Sequence, residues 1–190
     1  LTPEDKRITA FHEAGHALIM LLHPTAHDPV HKVTIIPRGS ALGVTHFLPE
    51  KEKYHQTKSE LLASIESALG GRAAEELAFG QVTTGAYSDF QAATNIARKM
   101  VCSYGMSDLG PMIYGQQHGE NTYSPATAER IDKEILKILD TAHTKVLEML
   151  KANRDKLDLL ANTLVEKETL YSSEIYELLG IEARIEHKFN

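Results

Sequence analysis

The sequence predicts a mainly α fold that contains one small β-hairpin or sheet and ends in a C-terminal helical bundle. Most of the chain carries apolar residues at helical spacing, between residues that typically start and stop helices. Only residues 31–48 are β-branched and alternate in the manner of strands. Hydrophobic residues make up 42% of the 190 and charged residues 24%, which indicates a globular rather than a disordered chain.

The first predicted helix begins at Thr2 and stops before Pro24. Thr2 is a typical N-cap residue, Pro3 suits the first helical turn, and the next two residues are acidic, as the helix dipole favours. Apolar residues then recur every three or four positions, which predicts one buried face. These residues are Ile8, Phe11, Ala14, Leu18, Leu21 and Leu22.

The remaining elements follow from the same patterns. Residues 31–36 and 43–48 predict two strands, joined by a turn over residues 37–40. A helix is predicted over 59–79, where Gly70 and Gly71 indicate close packing or a kink. A helix over 89–104 takes Ser88 as its cap, and residues 106–123 are expected to form a loop. A long helix over 125–152 and shorter ones over 154–166 and 172–179 complete the chain.

Composition excludes several classes of function. A formal net charge of −6 without a long basic run argues against nucleic acid as a partner, because phosphate binding needs clustered Lys and Arg. The single cysteine, Cys102, excludes an internal disulfide and a cysteine-based zinc site. The longest apolar run is residues 17–22. A membrane-spanning helix needs about 20 apolar residues, so this run is far too short to form one. We therefore expect the chain itself to be soluble, and, since it starts at Leu1, to be a fragment or a processed product.

Residues His12 to His16 spell His-Glu-Ala-Gly-His inside the first predicted helix. Histidines four residues apart share a helix face, so both imidazoles can bind one metal ion, here Zn²⁺. Glu13 lies beside that pair, where a carboxylate can take a proton from a metal-activated water that attacks a peptide carbonyl. The motif therefore predicts a helical metallopeptidase domain with Glu13 as the general base.

A catalytic zinc site needs a third protein ligand, and the residues leave its identity open. The extended motif of the metzincins would require Gly at 19 and His at 22, where this chain has Ile19 and Leu22. Glutamate from a later helix is one alternative, offered by Glu75 or Glu76. Asp89 is the other alternative, although an acid at a helix start often serves only the helix dipole.

Five separated segments resemble the peptidase domain of the FtsH-type AAA proteases, which are membrane-anchored, ATP-dependent zinc proteases. The segments are HEAGHAL, PRG-ALG, GGRAAEE, TTGAYSDF-AT-IAR-MV and YGMSDLGP, in the family's order. The resemblance implies that Asp89 is the third zinc ligand beside His12 and His16, and that Glu75 and Glu76 have supporting roles. It departs at Ser40, where the family commonly has Arg, and at Tyr87, where it commonly has Ser.

The resemblance also implies how substrate and partners bind. An exposed strand in such enzymes pairs with the backbone of an unfolded polypeptide, which places substrate along residues 31–48. The candidates there are Val33, Ile35, Gly43, Val44 and Thr45. The full-length protein is then expected to carry an AAA ATPase domain in the same chain and to form a homo-hexamer. We expect it at the inner (cytoplasmic) membrane, with this domain on the cytoplasmic side.

We interpret residues 1–190 as a single domain, with a catalytic half over 1–105, a helical part over 106–180 and a tail over 181–190. No P-loop sequence and no transmembrane segment occur in it, so the ATPase and membrane parts are absent from this fragment. The predicted function is degradation of unfolded, misfolded and membrane proteins. The alternative is a non-catalytic zinc-binding module that oligomerises, although a purely structural zinc site has no need of Glu13.

Overall fold

Helices form most of the molecule. The computed structural model describes residues 1–23, 29–37, 44–47 and 55–183. Within these ranges, six α-helices are present: α1 Pro3–Leu21, α2 Lys58–Phe79, α3 Tyr87–Cys102, α4 Pro125–Ala152, α5 Arg154–Lys167 and α6 Ser172–Leu179. The mainly α prediction is confirmed. No helix in the described ranges is both long enough and apolar enough to cross a bilayer.

A three-stranded antiparallel sheet covers one side of the helices. Its strands are β1 Val30–Thr34, β2 Val44–Phe47 and β5 Thr169–Tyr171, in the order β2-β1-β5. Strand β1 is therefore central and pairs with both neighbours. The prediction of a two-stranded hairpin missed β5, which is contributed by a segment about 135 residues further along the chain.

The start of the third helix differs from the sequence prediction. The third helix begins at Tyr87 rather than Asp89, and Ala86 occupies its N-cap position without a side-chain hydrogen bond. Ser88 is therefore not the cap, because it already lies in the first turn. A short 3₁₀ helix, Thr84–Ala86, runs directly into α3 and takes the place of a side-chain cap.

The predicted loop over 106–123 also contains a small element. Strands β3 Gln116–Gln117 and β4 Glu120–Asn121 pair in a two-stranded ribbon. Other predictions fall on residues outside the described ranges: 38–40 of the turn, Gly43, and 184–190 of the tail.

Two clusters of buried side chains form the core, and α2 joins them. The first packs α1 against the sheet, α5 and α6, and includes Phe11, Leu18, Val33, Leu157, Leu164 and Ile175. The second packs α3 against the first half of α4, and includes Met100, Val101, Ile131 and Ile135. The N-terminal part of α2 contributes Leu61 and Ile65 to the second cluster, and Ala73 and Ala74 join the first. Helix α2 therefore sets how α1 and α3 lie relative to each other.

Helices α1 and α2 approach closely at glycines. A Cβ added to Gly70 would lie 2.7 Å from the carbonyl oxygen of Gly15 and 3.1 Å from Cγ1 of Ile19. Only glycine fits at such a contact between two helix backbones. Helix α2 continues through both glycines from Lys58 to Phe79, and these contacts agree with the alternative of close packing.

Candidate metal centre

Helix α1 presents both motif histidines toward α2 and α3. His12 and His16 lie four residues apart, and their ring centroids are 4.6 Å apart with the ring planes at 82°. About an eighth of each side chain remains exposed, at 12%. The two rings therefore meet on one helix face, next to solvent but largely enclosed, as the motif predicts.

Asp89 joins the two histidines from the first turn of α3. Its Oδ2 lies 2.9 Å from Nε2 of His12 and 3.2 Å from Nε2 of His16, and the two Nε2 atoms are 3.0 Å apart. Three potential ligand atoms thus converge on one point from residues as far as 77 positions apart in the chain. Among the described residues, these three side chains form the group of histidines and acids that can hold a metal ion.

The other ring nitrogen of each histidine is bound from α2. Nδ1 of His16 lies 2.6 Å from the backbone carbonyl oxygen of Ser67, and Nδ1 of His12 lies 2.8 Å from Oε2 of Glu75. A carbonyl or carboxylate oxygen only accepts, so each Nδ1 must carry the hydrogen and donate it. Each Nε2 is left to face the common point, which fixes the tautomer that a metal ligand needs.

Glu75 is itself held by the segment that leads to α3. It is buried, with 1% of its surface exposed, and its Oε1 accepts a hydrogen bond from Oγ1 of Thr83 at 2.6 Å. Oγ1 of Thr83 also accepts from the backbone N–H of Gly85 in the 3₁₀ helix. The roles of Thr83 and of the Ser67 carbonyl were not predicted: Thr83 begins the segment TTGAYSDF, but its spacing gives no hint of Glu75, and Ser67 lies outside the five segments.

Charge around His12 favours its protonated form in the metal-free site. Burial alone would lower the pKa of His12, but hydrogen bonds to Asp89 and Glu75 and the charges of Glu13 and Asp89 raise it to about 10. Burial raises the pKa of Asp89, but its hydrogen bonds to His12 and His16 hold it well below its usual range. Burial also raises the pKa of Glu75, and its hydrogen bonds to His12 and Thr83 lower it by more.

The donor set and its spacing fit a tetrahedral zinc ion. Ligand atoms about 2.0–2.1 Å from a tetrahedral zinc lie about 3.3 Å from one another. The three separations here are 2.9, 3.0 and 3.2 Å. Two imidazoles and a carboxylate suit Zn²⁺, and three protein ligands leave a fourth position open, as catalytic sites require.

Gly71 of α2 lies directly against the two rings. A Cβ at this position would be 2.6 Å from Cε1 and Nε2 of His12 and 2.7 Å from Nε2 of His16. Real Cβ contacts are essentially never that short, so the rings sit in a space that only glycine leaves. The second glycine of the pair is thus required by the site, while Gly70 is required by the helix crossing.

Glu13 follows His12 directly on α1. It is buried, with 7% of its surface exposed, and its charge contributes to the raised pKa of His12. This carboxylate is buried beside His12 and is not among the converging ligand atoms, so it is not occupied as a metal ligand.

Two other acidic residues considered from the sequence, Glu75 and Glu76, lie outside the ligand set. Oε1 of Glu76 is 3.3 Å from Nε of Arg72 and 3.1 Å from Nε2 of His143, so Glu76 connects α2 with α4. Glu75 supports His12 through Nδ1. Neither glutamate contributes an atom to the converging group.

The strand residues predicted to bind substrate separate into two groups. Val33 and Ile35 are buried in the core, with 0% and 2% exposure, and the β1 backbone is paired on both sides along Lys32–Thr34. Val44 and Thr45 lie on β2, which forms an edge of the sheet. Gly43 lies outside the described residues.

These features define a domain of the metallopeptidase type. A His-Glu-x-x-His helix supplies two histidines, a later helix supplies an aspartate, and α2 accepts a hydrogen bond from each histidine Nδ1. Residues 1–178 match the model of peptidase family M41. The chain belongs to this family.

Curated relatives agree with this assignment. The chain is 47% identical over 186 residues to an ATP-dependent zinc metalloprotease FtsH of Akkermansia muciniphila, covering 92% of this chain and 23% of the relative. Proteins of the same name from Pelobacter propionicus and Bacillus subtilis are 48% and 46% identical over 188 and 191 residues, covering 93% and 94% of this chain and 30% of each relative. The chain thus spans between about a quarter and a third of the length of these relatives.

Proposed function

We propose that this chain is the zinc-dependent endopeptidase domain of an ATP-dependent protease. The observation that carries the proposal is the convergence of His12, His16 and Asp89 within 3.2 Å of one another, beside the buried Glu13. The names of the relatives, ATP-dependent zinc metalloprotease, support the metal, the reaction class and the dependence on ATP.

Each residue of the centre has a defined role in this proposal. His12, His16 and Asp89 hold the ion through Nε2, Nε2 and Oδ2, while Glu75 and the Ser67 carbonyl orient the two imidazoles. When bound, zinc supplies a Lewis acid that polarises the peptide carbonyl and brings the pKa of a water to about 7. The carboxylate of Glu13 accepts the proton of the attacking water and returns it to the leaving amine.

Substrate is proposed to pair with the sheet along β2. Strand β1 has no unpaired edge over Lys32–Thr34, whereas β2 has β1 on one side only in the described sheet. An extended polypeptide would therefore add next to Val44 and Thr45 through main-chain hydrogen bonds. Main-chain pairing ignores side-chain identity, which suits unfolded, misfolded and extracted membrane proteins as substrates.

The setting of the whole protein is proposed from the resemblance and from the relatives. The full-length chain would carry an AAA ATPase domain that unfolds and delivers substrate, and six copies would form a ring. It would be held at the cytoplasmic membrane, with this domain on the cytoplasmic side. The relatives are about three to four times longer than the matched region, which leaves room for these parts.

The test is zinc content measured together with casein hydrolysis, for the unsubstituted chain and for Glu13→Gln and Asp89→Asn. We expect Glu13→Gln to keep zinc and lose cleavage, and Asp89→Asn to lose zinc or bind it weakly. Cleavage by Glu13→Gln would contradict the role of the base. Stoichiometric zinc with no cleavage by the unsubstituted chain would favour a non-catalytic zinc-binding module instead.

A further inference from the structure

The metal centre depends on where α3 begins, but no N-cap side chain fixes the start of α3. Asp89 lies in the first turn of α3, whose N-cap position, Ala86, makes no side-chain hydrogen bond. Its Oδ2 must nevertheless stay within 3.2 Å of two Nε2 atoms on another helix. Ligand geometry tolerates errors of only about half an ångström, so some other contact must hold this turn.

Two contacts from α2 reach this turn of the chain, one on each side. Before α3, Thr83 donates to the buried carboxylate of Glu75. Within α3, the guanidinium carbon of Arg72 lies over the ring of Phe90, 5.0 Å from its centroid. Phe90 directly follows Asp89, and Arg72 directly follows Gly71, the residue that packs on both histidine rings.

Arg72 is itself held in place. Nε of Arg72 lies 3.3 Å from Oε1 of Glu76, one helical turn further along α2. The same Oε1 lies 3.1 Å from Nε2 of His143 on α4. Only 25% of the Arg72 side chain is exposed. The guanidinium thus lies between an ion-pair partner on α2, Glu76, and an aromatic ring on α3, Phe90.

We infer that Arg72 is a positioning residue for the metal centre, which holds the Asp89 carboxylate in ligand position by stacking on Phe90. The inference rests on the proposed function, since it assumes that Asp89 binds the ion. A planar guanidinium stacks on an aromatic face better than an ammonium does, so lysine should replace arginine only in part. Phe90 is 37% exposed, and the contact with Arg72 covers part of a ring that would otherwise face solvent.

The experiment measures zinc dissociation constants by competition with a chromophoric chelator, for the chain and for Arg72→Met, Phe90→Leu and the double variant. Phe90→Trp preserves a stacking face and Arg72→Lys preserves only the charge. The matched control is Arg154→Met, which removes another i,i+4 ion pair, to Asp158 at 2.8 Å on α5, together with a hydrogen bond to the Leu77 carbonyl oxygen near the C-terminal end of α2. The visible spectrum of each variant saturated with cobalt(II) reports the geometry of the ligands independently of affinity.

We expect about tenfold weaker zinc binding for Arg72→Met and for Phe90→Leu, as is typical when a residue that orients a ligand is lost. The double variant should be no weaker than the worse single variant, because both remove one contact. The zinc affinity of Arg72→Lys should lie between that of the unsubstituted chain and that of Arg72→Met. Phe90→Trp and Arg154→Met should bind as the chain does, and the cobalt(II) spectrum should change only in variants without the stack.

Several results would overturn the inference. These are affinities within twofold of the unsubstituted chain, losses that add in the double variant, or an unchanged cobalt(II) spectrum. If Arg72→Met does not fold, Phe90→Leu against Phe90→Trp still decides the question. Failure of the unsubstituted chain to bind zinc would instead contradict the proposed function, so the two failures are distinguishable.

Discussion

Single residues decide whether the centre can form, and position 71 is the strictest of them. His12 and His16 each donate Nδ1–H outward, so their rings cannot turn away without losing those hydrogen bonds. The backbone of Gly71 packs against both rings and leaves no room for a Cβ beside their Nε2 atoms. Hydrogen bonds at Nδ1 and the Gly71 backbone beside Nε2 therefore fix the orientation of both rings before any ion binds.

Gly71→Ala is expected to weaken zinc binding at least tenfold. The added Cβ would lie 2.6 Å from the His12 ring and 2.7 Å from the His16 ring, which forces both rings away from Asp89. Gly115→Ala is the control, because its Cβ would have no neighbour within 4 Å. The measurement is the zinc dissociation constant, and unchanged affinity in Gly71→Ala would show that the rings can move freely.

Protonation of His12 predicts how the metal-free chain responds to pH. Because its folded pKa is raised from 6.5 to about 10, its contribution to stability is full below pH 6.5 and is lost as the pH rises toward 10. The pKa of Asp89 is depressed from 3.8, so its contribution is present above that pH and is lost as the pH falls.

The stability difference between the chain and Asp89→Asn should therefore be largest between about pH 4 and pH 6.5 and shrink on both sides. The measurement is the free energy of unfolding in urea, with a chelator present, at several pH values. Subtracting the variant removes groups that titrate elsewhere in the molecule. A difference that stays constant from pH 5 to pH 9 would contradict the coupling of these two residues.

The residues of the site were predictable to different depths. His12, Glu13 and His16 are local to one helical turn, so spacing alone brought them together. Asp89 lies 77 residues from His12. Whether Asp89, Glu75 or Glu76 is the third ligand depends on how α2 and α3 pack. Spacing could not decide that question, and the resemblance to a known family pointed to Asp89.

Among the elements, the crossing of α1 and α2 is the least tolerant of change. Gly70→Ala should lower the free energy of unfolding, because the new Cβ would lie 2.7 Å from the Gly15 carbonyl oxygen. Overpacking of this kind lowers the free energy of unfolding by about 1–3 kcal/mol. Replacing Gly by Ala inside a helix raises it by about 1 kcal/mol, which offsets only part of that loss. Urea unfolding at fixed zinc tests this, and a more stable variant would contradict the packing described here.

Helices were predicted more completely than strands. Helix patterns repeat over several turns, so α1, α2 and α4 were found with their ends nearly correct, including the Thr2 cap that accepts from Asp5. Strand β5 has three residues, too few to show an alternating pattern. It forms because the Glu168 carbonyl accepts from the backbone N–H of Ile35 and from Oγ1 of Thr34, which are contacts between distant segments.

At the scale of the molecule, the proposed substrate path predicts which proteins the chain can cut. The sequence contains no P-loop, so hydrolysis of casein by this chain should be the same with and without ATP. A tightly folded protein of similar size should resist cleavage, because its backbone cannot pair with β2 until it unfolds. Release of peptides from both substrates, measured with and without ATP, tests this; stimulation by ATP would contradict it.

The packing of α1 also has a consequence for synthesis. Helix α1 ends at Leu21, but α5 and α6, which share its core cluster, begin only at Arg154 and Ser172. A ribosome adding about 5–20 residues per second leaves the apolar face of α1 without these partners for on the order of ten seconds. During that interval the site residues on α1, α2 and α3 have all been synthesised, but the core cluster around Leu18 still lacks its side chains from α5 and α6. All three residues that would hold the metal can therefore be present on the ribosome before the core beneath α1 is complete.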